Sequence, residues 1–158
     1  WSVDEVDLVI LLVDADEEIN KRQRQIDKAM EAVCQNHLDK NDQLISDQNA
    51  GGLAIQTFDT WLLADTGQVI NVLKIDNLPD LPDNLESLST TKTILEDSIE
   101  QSTSFLPDEE KAGLRSLKAR WALAFVADLA KIKERCPQGY KTFADRLKSA
   151  AKIASQSF

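Results

Sequence analysis

The sequence predicts an α/β fold: a mostly parallel sheet near the amino end, followed by a helical carboxyl-terminal part. Three observations carry this. The run Leu8 to Val13 is continuously aliphatic, the habit of a strand buried on both faces at the centre of a parallel sheet. Residues 17–38 then repeat apolar positions at helical spacing. Beyond residue 90 the apolar pattern is helical almost throughout. At 158 residues the chain is one domain, or one domain with a helical appendage. The expected division is an α/β part over 1–75 and a helical extension over 76–158.

The first strand ends abruptly in Asp14, Asp16, Glu17 and Glu18. Acids at the carboxyl end of such a strand stand where α/β folds bind ligands. Asp14 and Asp16 are two residues apart, so on a strand they share one face, roughly 7 Å apart along the chain. Two carboxylates so placed repel, and lose solvation if partly buried. A divalent cation offsets both costs, and Mg²⁺ is commonly held by one or two carboxylates with waters and a phosphate. The plainer reading makes these acids a helix start, with Asp16 as N-cap and Glu17 and Glu18 in the first turn.

Glu17 to Leu38 is the first helix, with Ile19, Ile26, Met30, Val33 and Cys34 inward. His37 is the one histidine and reads as a polar residue at the end of that helix. Asn41 to Asn49 is a polar loop. Gly51-Gly52 is a tight entry into a short strand, Leu53 to Gln56. Phe58, Trp61 and Leu62 are spaced for a helix on the sheet, and Gly67 to Leu73 is a second short helix. Asp59, near the start of the first of these, either joins Asp14 and Asp16 or caps its helix. Leu78 to Leu88, with Pro79 and Pro82, is an irregular loop. Thr91 to Gln101 is a helix with Ile94, Leu95 and Ile99 inward. Pro107 opens a long helix to about Arg135, with Asp108, Glu109 and Glu110 in its first turn. Its expected core stripe is Leu114, Leu117, Trp121, Phe125, Leu129 and Ile132, with Trp121 and Phe125 as core aromatics. Cys136-Pro137 ends it, and a last helix spans Tyr140 to Ala154 with Phe143 and Leu147 inward.

The net charge is −9, which repels nucleic acid at long range, but it is unevenly spread. Residues 76–110 hold ten acids and one base, Lys92; residues 111–158 hold eleven bases and three acids. A basic carboxyl-terminal surface can guide a phosphate backbone, although most of these lysines read as the wet faces of helices. Two distant cysteines, Cys34 and Cys136, read as reduced thiols of a cytoplasmic protein. No stretch approaches transmembrane length and no signal-peptide pattern is present. The start at Trp1, just before a central-type strand, suggests that a preceding segment is missing. No Walker or dinucleotide loop, nucleophile elbow or zinc cluster occurs. With one histidine, triad chemistry is disfavoured, and carboxylates remain as the chemical groups.

Three blocks, LVILLVDADEE at 8–18, IQTFDTWLLAD at 55–65 and ERCPQGYKTFADRL at 134–147, together resemble an uncharacterised bacterial family of TOPRIM-related proteins. Genes of that family often neighbour ATPases of the ABC or SMC type in phage-defence and mobile loci, and the family resembles the nuclease module of overcoming-lysogenization-defect proteins. The resemblance implies a TOPRIM-like sheet and metal-assisted phosphodiester hydrolysis, with Mg²⁺ (or Mn²⁺) as cofactor. It also implies nucleic acid as substrate and a partner ATPase, with the chain as a toxin that the ATPase controls. Asp14 and Asp16 match the family's Asp-x-Asp. Asp59 stands where the family commonly has a glutamate before its tryptophan. The first-strand glutamate of TOPRIM enzymes has no match here and is expected upstream of Trp1.

Two other functions compete. One is a non-catalytic interaction module on a degenerate TOPRIM fold, with the acidic 76–110 segment docking a basic surface. The other is a receiver-like phospho-acceptor, against which the helical second half counts.

Overall fold

A computed structural model of the chain describes residues 8–16, 18–36, 48–105 and 113–156. The expectations placed on Trp1, Glu17, His37 and Pro107 to Glu110 lie outside these residues. The class is mixed α/β, with a two-stranded parallel sheet and a majority of helix among the described residues. Among the described residues, no helix is long and apolar enough to cross a membrane. The chain divides into two compact units, one of Trp1–Ala54 with Gly139–Phe158 and one of Ile55–Gln138.

In the first unit, strand β1 (Val9–Asp16) pairs with strand β2 (Asn49–Ile55). Helix α1 (Ile19–Asn36) follows β1 directly. The odd positions Val9, Leu11, Val13 and Ala15 pack with Ile26 and Met30 of α1 and Leu53 of β2. The other face of β1 is only half covered, and Ile10 is 52% exposed. This corrects the expectation of a strand buried on both faces. In a sheet of two described strands, α1 shields one side of β1 and the aliphatic even positions are left partly open. Asp16 is the last residue of β1, not the cap of α1; the Glu18 carbonyl instead accepts from the Lys21 and Arg22 amides. Ile19, expected inward, is 38% exposed at that helix start.

The two glycines have a different purpose from the one expected. Gly51 and Gly52 lie inside β2, which begins at Asn49. A Cβ on Gly51 would stand 2.5 Å from Ile26 Cγ2, and one on Gly52 would stand 2.6 to 2.8 Å from the Phe143 side chain. Successive strand residues point to opposite faces. Helix α1 therefore lies against one face of β2 and helix α7 (Tyr140–Gln156) against the other. Glycine permits both helices to approach the backbone. Arg146 of α7 donates from Nη1 to the Gly51 carbonyl at 3.1 Å.

The second unit is helical. Helix α2 (Phe58–Leu62), helix α3 (Thr66–Leu73) and helix α4 (Thr91–Gln101) occur where the apolar spacing placed helices. The loop before α4 contains a single 3-10 turn, Leu85–Ser87. Leu63, Val69, Leu73, Leu85 and Leu95 are wholly buried. The long helix expected up to Arg135 is two helices, α5 (Leu114–Val126) and α6 (Leu129–Arg135). The break falls at Asp128, whose Oδ1 accepts from the Ala130 amide at 2.8 Å and caps α6.

The expected core stripe of α5 is largely overturned. Ala119 and Leu123 are its buried residues, whereas Leu117, Trp121, Phe125 and Leu129 are 48%, 64%, 89% and 62% exposed. Arg120 points inward to Asp59. One residue on a helix is a turn of about 100°, so fixing Arg120 inward carries Trp121 outward. Of the six expected residues, Ile132 is buried and Leu114 half-buried.

Candidate functional site

The strand-end acids lie at the carboxyl end of β1. Ala15 between them is fully buried against α1. Strand alternation therefore assigns position 14 to the opposite face, which is the half-covered one; Asp16 is the last residue of the strand. Asp14 is half-buried. Among the described residues, no group of three or more His, Cys, Asp or Glu is placed to hold a metal ion.

Asp59 stands in α2 in the second unit and is engaged there. Arg120 donates from Nε to Oδ1 at 2.8 Å and from Nη2 to Oδ2 at 2.7 Å. This is the paired-fork geometry of a strong arginine–carboxylate contact. The Asp59 side chain is 9% exposed and that of Arg120 22%. The Ser116 hydroxyl also accepts from Arg120 Nη1, and Glu96 lies 3.6 Å from Nη2. The bond to Asp59 is the leading cause that raises the Arg120 pKa above the usual arginine range. The structure thus assembles positions 14 and 16 on one strand, and sets Asp59 in an ion pair.

The remaining motif residues serve mainly to join helices. Asp65 caps α3 by accepting from the Gln68 amide at 3.2 Å, and accepts from Lys131 Nζ at 2.8 Å. Burial disfavours the Asp65 charge, but Lys131 and the Gln68 and Gly67 amides outweigh it and hold the carboxyl below its usual range. Arg135 donates to the carbonyls of Ala64 at 3.2 Å and Pro82 at 2.7 Å. The WLLAD block and the start of the Cys-Pro block are therefore in direct contact. Cys136 is fully buried; burial, and then the Glu86 charge, push its thiol up to about 12. Glu86 is itself buried and accepts from the Gln138 amide at 2.8 Å. Cys136 therefore lacks the environment of a nucleophile; Cys34 is also buried and accepts from Asn49 Nδ2 at 3.2 Å.

The sequence reading missed Arg120, Lys131, Arg135 and Glu86. Cations on α5 and α6 were read as solvated, and nothing local marks which of them finds a carboxylate 61 or 66 residues away. The first unit also holds an open cleft of about 970 Å³ lined by Asp27, Glu31, Asn49, Asp145, Arg146 and Ser149 among others. None of these residues had been singled out.

Compared with models of protein families, with curated proteins and with solved structures, the chain gives no significant match.

Proposed function

We propose that the chain is a Mg²⁺-dependent, TOPRIM-like nuclease or nuclease subunit that hydrolyses nucleic-acid phosphodiesters, acting in phage defence beside a partner ATPase. The observation that carries this reading is the placement of Asp14 and Asp16. They end a parallel strand, and Asp14 stands on the face that the α1-packed core does not use. Carboxylates there would hold the cation, and their mutual repulsion would select for one. A bound Mg²⁺ supplies Lewis-acid polarisation of the scissile phosphate and activation of water. The sequence has no counterpart of the TOPRIM first-strand glutamate, so this chain contributes the Asp-x-Asp half of such a site.

A second reading, the non-catalytic interaction module, is favoured by Asp59. Its two oxygens are occupied by Arg120, which makes it a scaffold acid.

Calorimetry with Mg²⁺ and Mn²⁺ on the wild type and on Asp14→Asn, alongside plasmid nicking, tests the first reading. Binding and nicking that are both lost in a folded Asp14→Asn support it. Binding without nicking points to the missing glutamate or partner. If neither ion binds, the nuclease reading falls and the interaction module leads.

A further inference from the structure

Helix α7 presents a face that the proposed function leaves unused. Lys141, Lys148 and Lys152 are exposed and recur on the side of the helix opposite its buried residues Phe143 and Ala150. Their ammonium groups make no hydrogen bond or ion pair among the described residues. By contrast, Arg115, Arg120, Lys131, Arg135 and Arg146 are each committed to a carboxylate or a carbonyl. Lys28, Lys92 and Lys118 are exposed as well, but on three separate helices. Asp145, also exposed, is the acid on the α7 face, so the lysines are in excess there. In a chain of net charge −9, such a face is the local exception that attracts a polyanion. From Lys141 to Lys152 the helix rises about 16 Å. That is the length of about five phosphates of one nucleic-acid strand at about 3.4 Å each.

The place of this helix in the fold is a second, independent observation. The Phe143 side chain packs against Gly52, so α7 lies on the sheet face that α1 does not use. Asp14 belongs to that same face. There α7 covers β2, whereas β1 stays partly open, with Ile10 52% exposed and Leu12 and Asp14 half-buried. The lysines and Asp14 all lie in the first unit, on one side of one sheet.

We propose that Lys141, Lys148 and Lys152 hold the phosphate backbone of a nucleic-acid strand against the outer side of α7, beside the partly open face of β1. The inference rests on the nuclease reading for its purpose, and adds the surface that binds the substrate. Contacts of this kind position a strand without reading its bases.

Fluorescence anisotropy of a labelled single-stranded oligonucleotide, in EDTA so that no metal takes part, tests it. Three phosphate contacts predict that log Kd rises with log salt at a slope of about 2. Lys148→Gln should lower that slope by about 0.7. Lys148→Glu with Lys152→Glu should weaken binding about tenfold or more, with an unchanged far-ultraviolet dichroism spectrum. Lys28→Glu with Lys92→Glu makes the same charge change at exposed lysines elsewhere and should leave binding near wild type. A wild type that does not bind at low salt overturns the proposal. So does a folded α7 double variant that binds as the wild type does, or a control double variant that is weakened as much. Binding of polyglutamate with no binding of the oligonucleotide overturns it in favour of an acidic protein partner. Calorimetry with Mg²⁺ separates this inference from the reading beneath it. If the wild type binds Mg²⁺ and nicks, and the α7 double variant nicks equally well, the lysine face falls alone. If the wild type binds no metal but holds the oligonucleotide through these lysines, the nuclease reading falls and the surface stands.

Discussion

Replacing Asp59 by alanine distinguishes a scaffold acid from a metal-site acid. The substitution removes both acceptors of the Arg120 fork, at 2.8 and 2.7 Å. It leaves a guanidinium whose side chain is only 22% exposed. Breaking a fully buried pair costs about 3–5 kcal/mol, and an exposed pair is worth about 0.2–1 kcal/mol. This pair has one nearly buried and one partly buried member, which places the loss at about 2–3 kcal/mol. Glu96, 3.6 Å away and 48% exposed, recovers little of it. With a urea dependence of about 2 kcal/mol per molar, the midpoint should fall by about 1–1.5 M, followed by far-ultraviolet circular dichroism. The double variant Asp59→Leu with Arg120→Met should regain more than half of the loss, because it leaves no buried charge. A midpoint that moves by less than about 0.2 M, combined with loss of metal binding, would refute the scaffold role and return Asp59 to the candidate metal site.

Three further outcomes follow from local geometry. Gly52→Ala and Gly51→Ala should each destabilise by about 1–3 kcal/mol in chemical denaturation, because the added methyl meets the Phe143 side chain in one case and the Cγ2 of buried, β-branched Ile26 in the other. Lys74 caps α3 in the left-handed region at φ 52°, so Lys74→Gly should raise stability by about 0.5–1 kcal/mol, and an unchanged thermal midpoint would contradict the strain assigned there. The Asp65 carboxyl is held low and the Lys131 ammonium high by their contact. Their stabilisation is therefore present between the ordinary carboxylate and lysine ranges. It is lost as pH falls through the depressed Asp65 value, or rises past the raised Lys131 value. Lys131→Met should flatten the acid limb of the stability–pH curve.

The elements that were legible are those whose pattern is local. The stretch Thr91 to Gln101 was placed residue for residue, because Leu95 and Ile99 set its phase and no alternative stripe competes. Helix α1 was placed to within two residues, with Ile26, Met30 and Cys34 buried as expected. What failed depended on partners distant in sequence. On α5 two stripes compete, the large apolar one through Trp121 and the small one through Ala119 and Leu123. Size favours the first. The Arg120 bond to Asp59, 61 residues away, selects the second. Likewise, Gly51-Gly52 resembles a turn until Ile26 and Phe143 are seen against it. Of the candidate site, the strand-end position of Asp14 and Asp16 was legible, whereas the engagement of Asp59 was not.

The ion pair that rotates α5 also has a consequence for its surface. Had Trp121 and Phe125 turned inward, Arg120 would have faced solvent and Asp59 would have been a buried, uncompensated carboxylate in α2. Burying such a charge without a partner costs several kcal/mol. Exposing two aromatics forgoes about 25 cal/mol per Å² over roughly 300 Å², or about 7 kcal/mol of hydrophobic stabilisation at most. These quantities are of similar size, so the packing of Ala119 and Leu123 acts beside the ion pair in setting the phase. An Asp59→Leu, Arg120→Met chain, free to rotate α5, is expected to bury Trp121 and shift the tryptophan emission to shorter wavelength. Unshifted emission in that folded variant would show that the packing of Ala119 and Leu123 alone sets the helix phase.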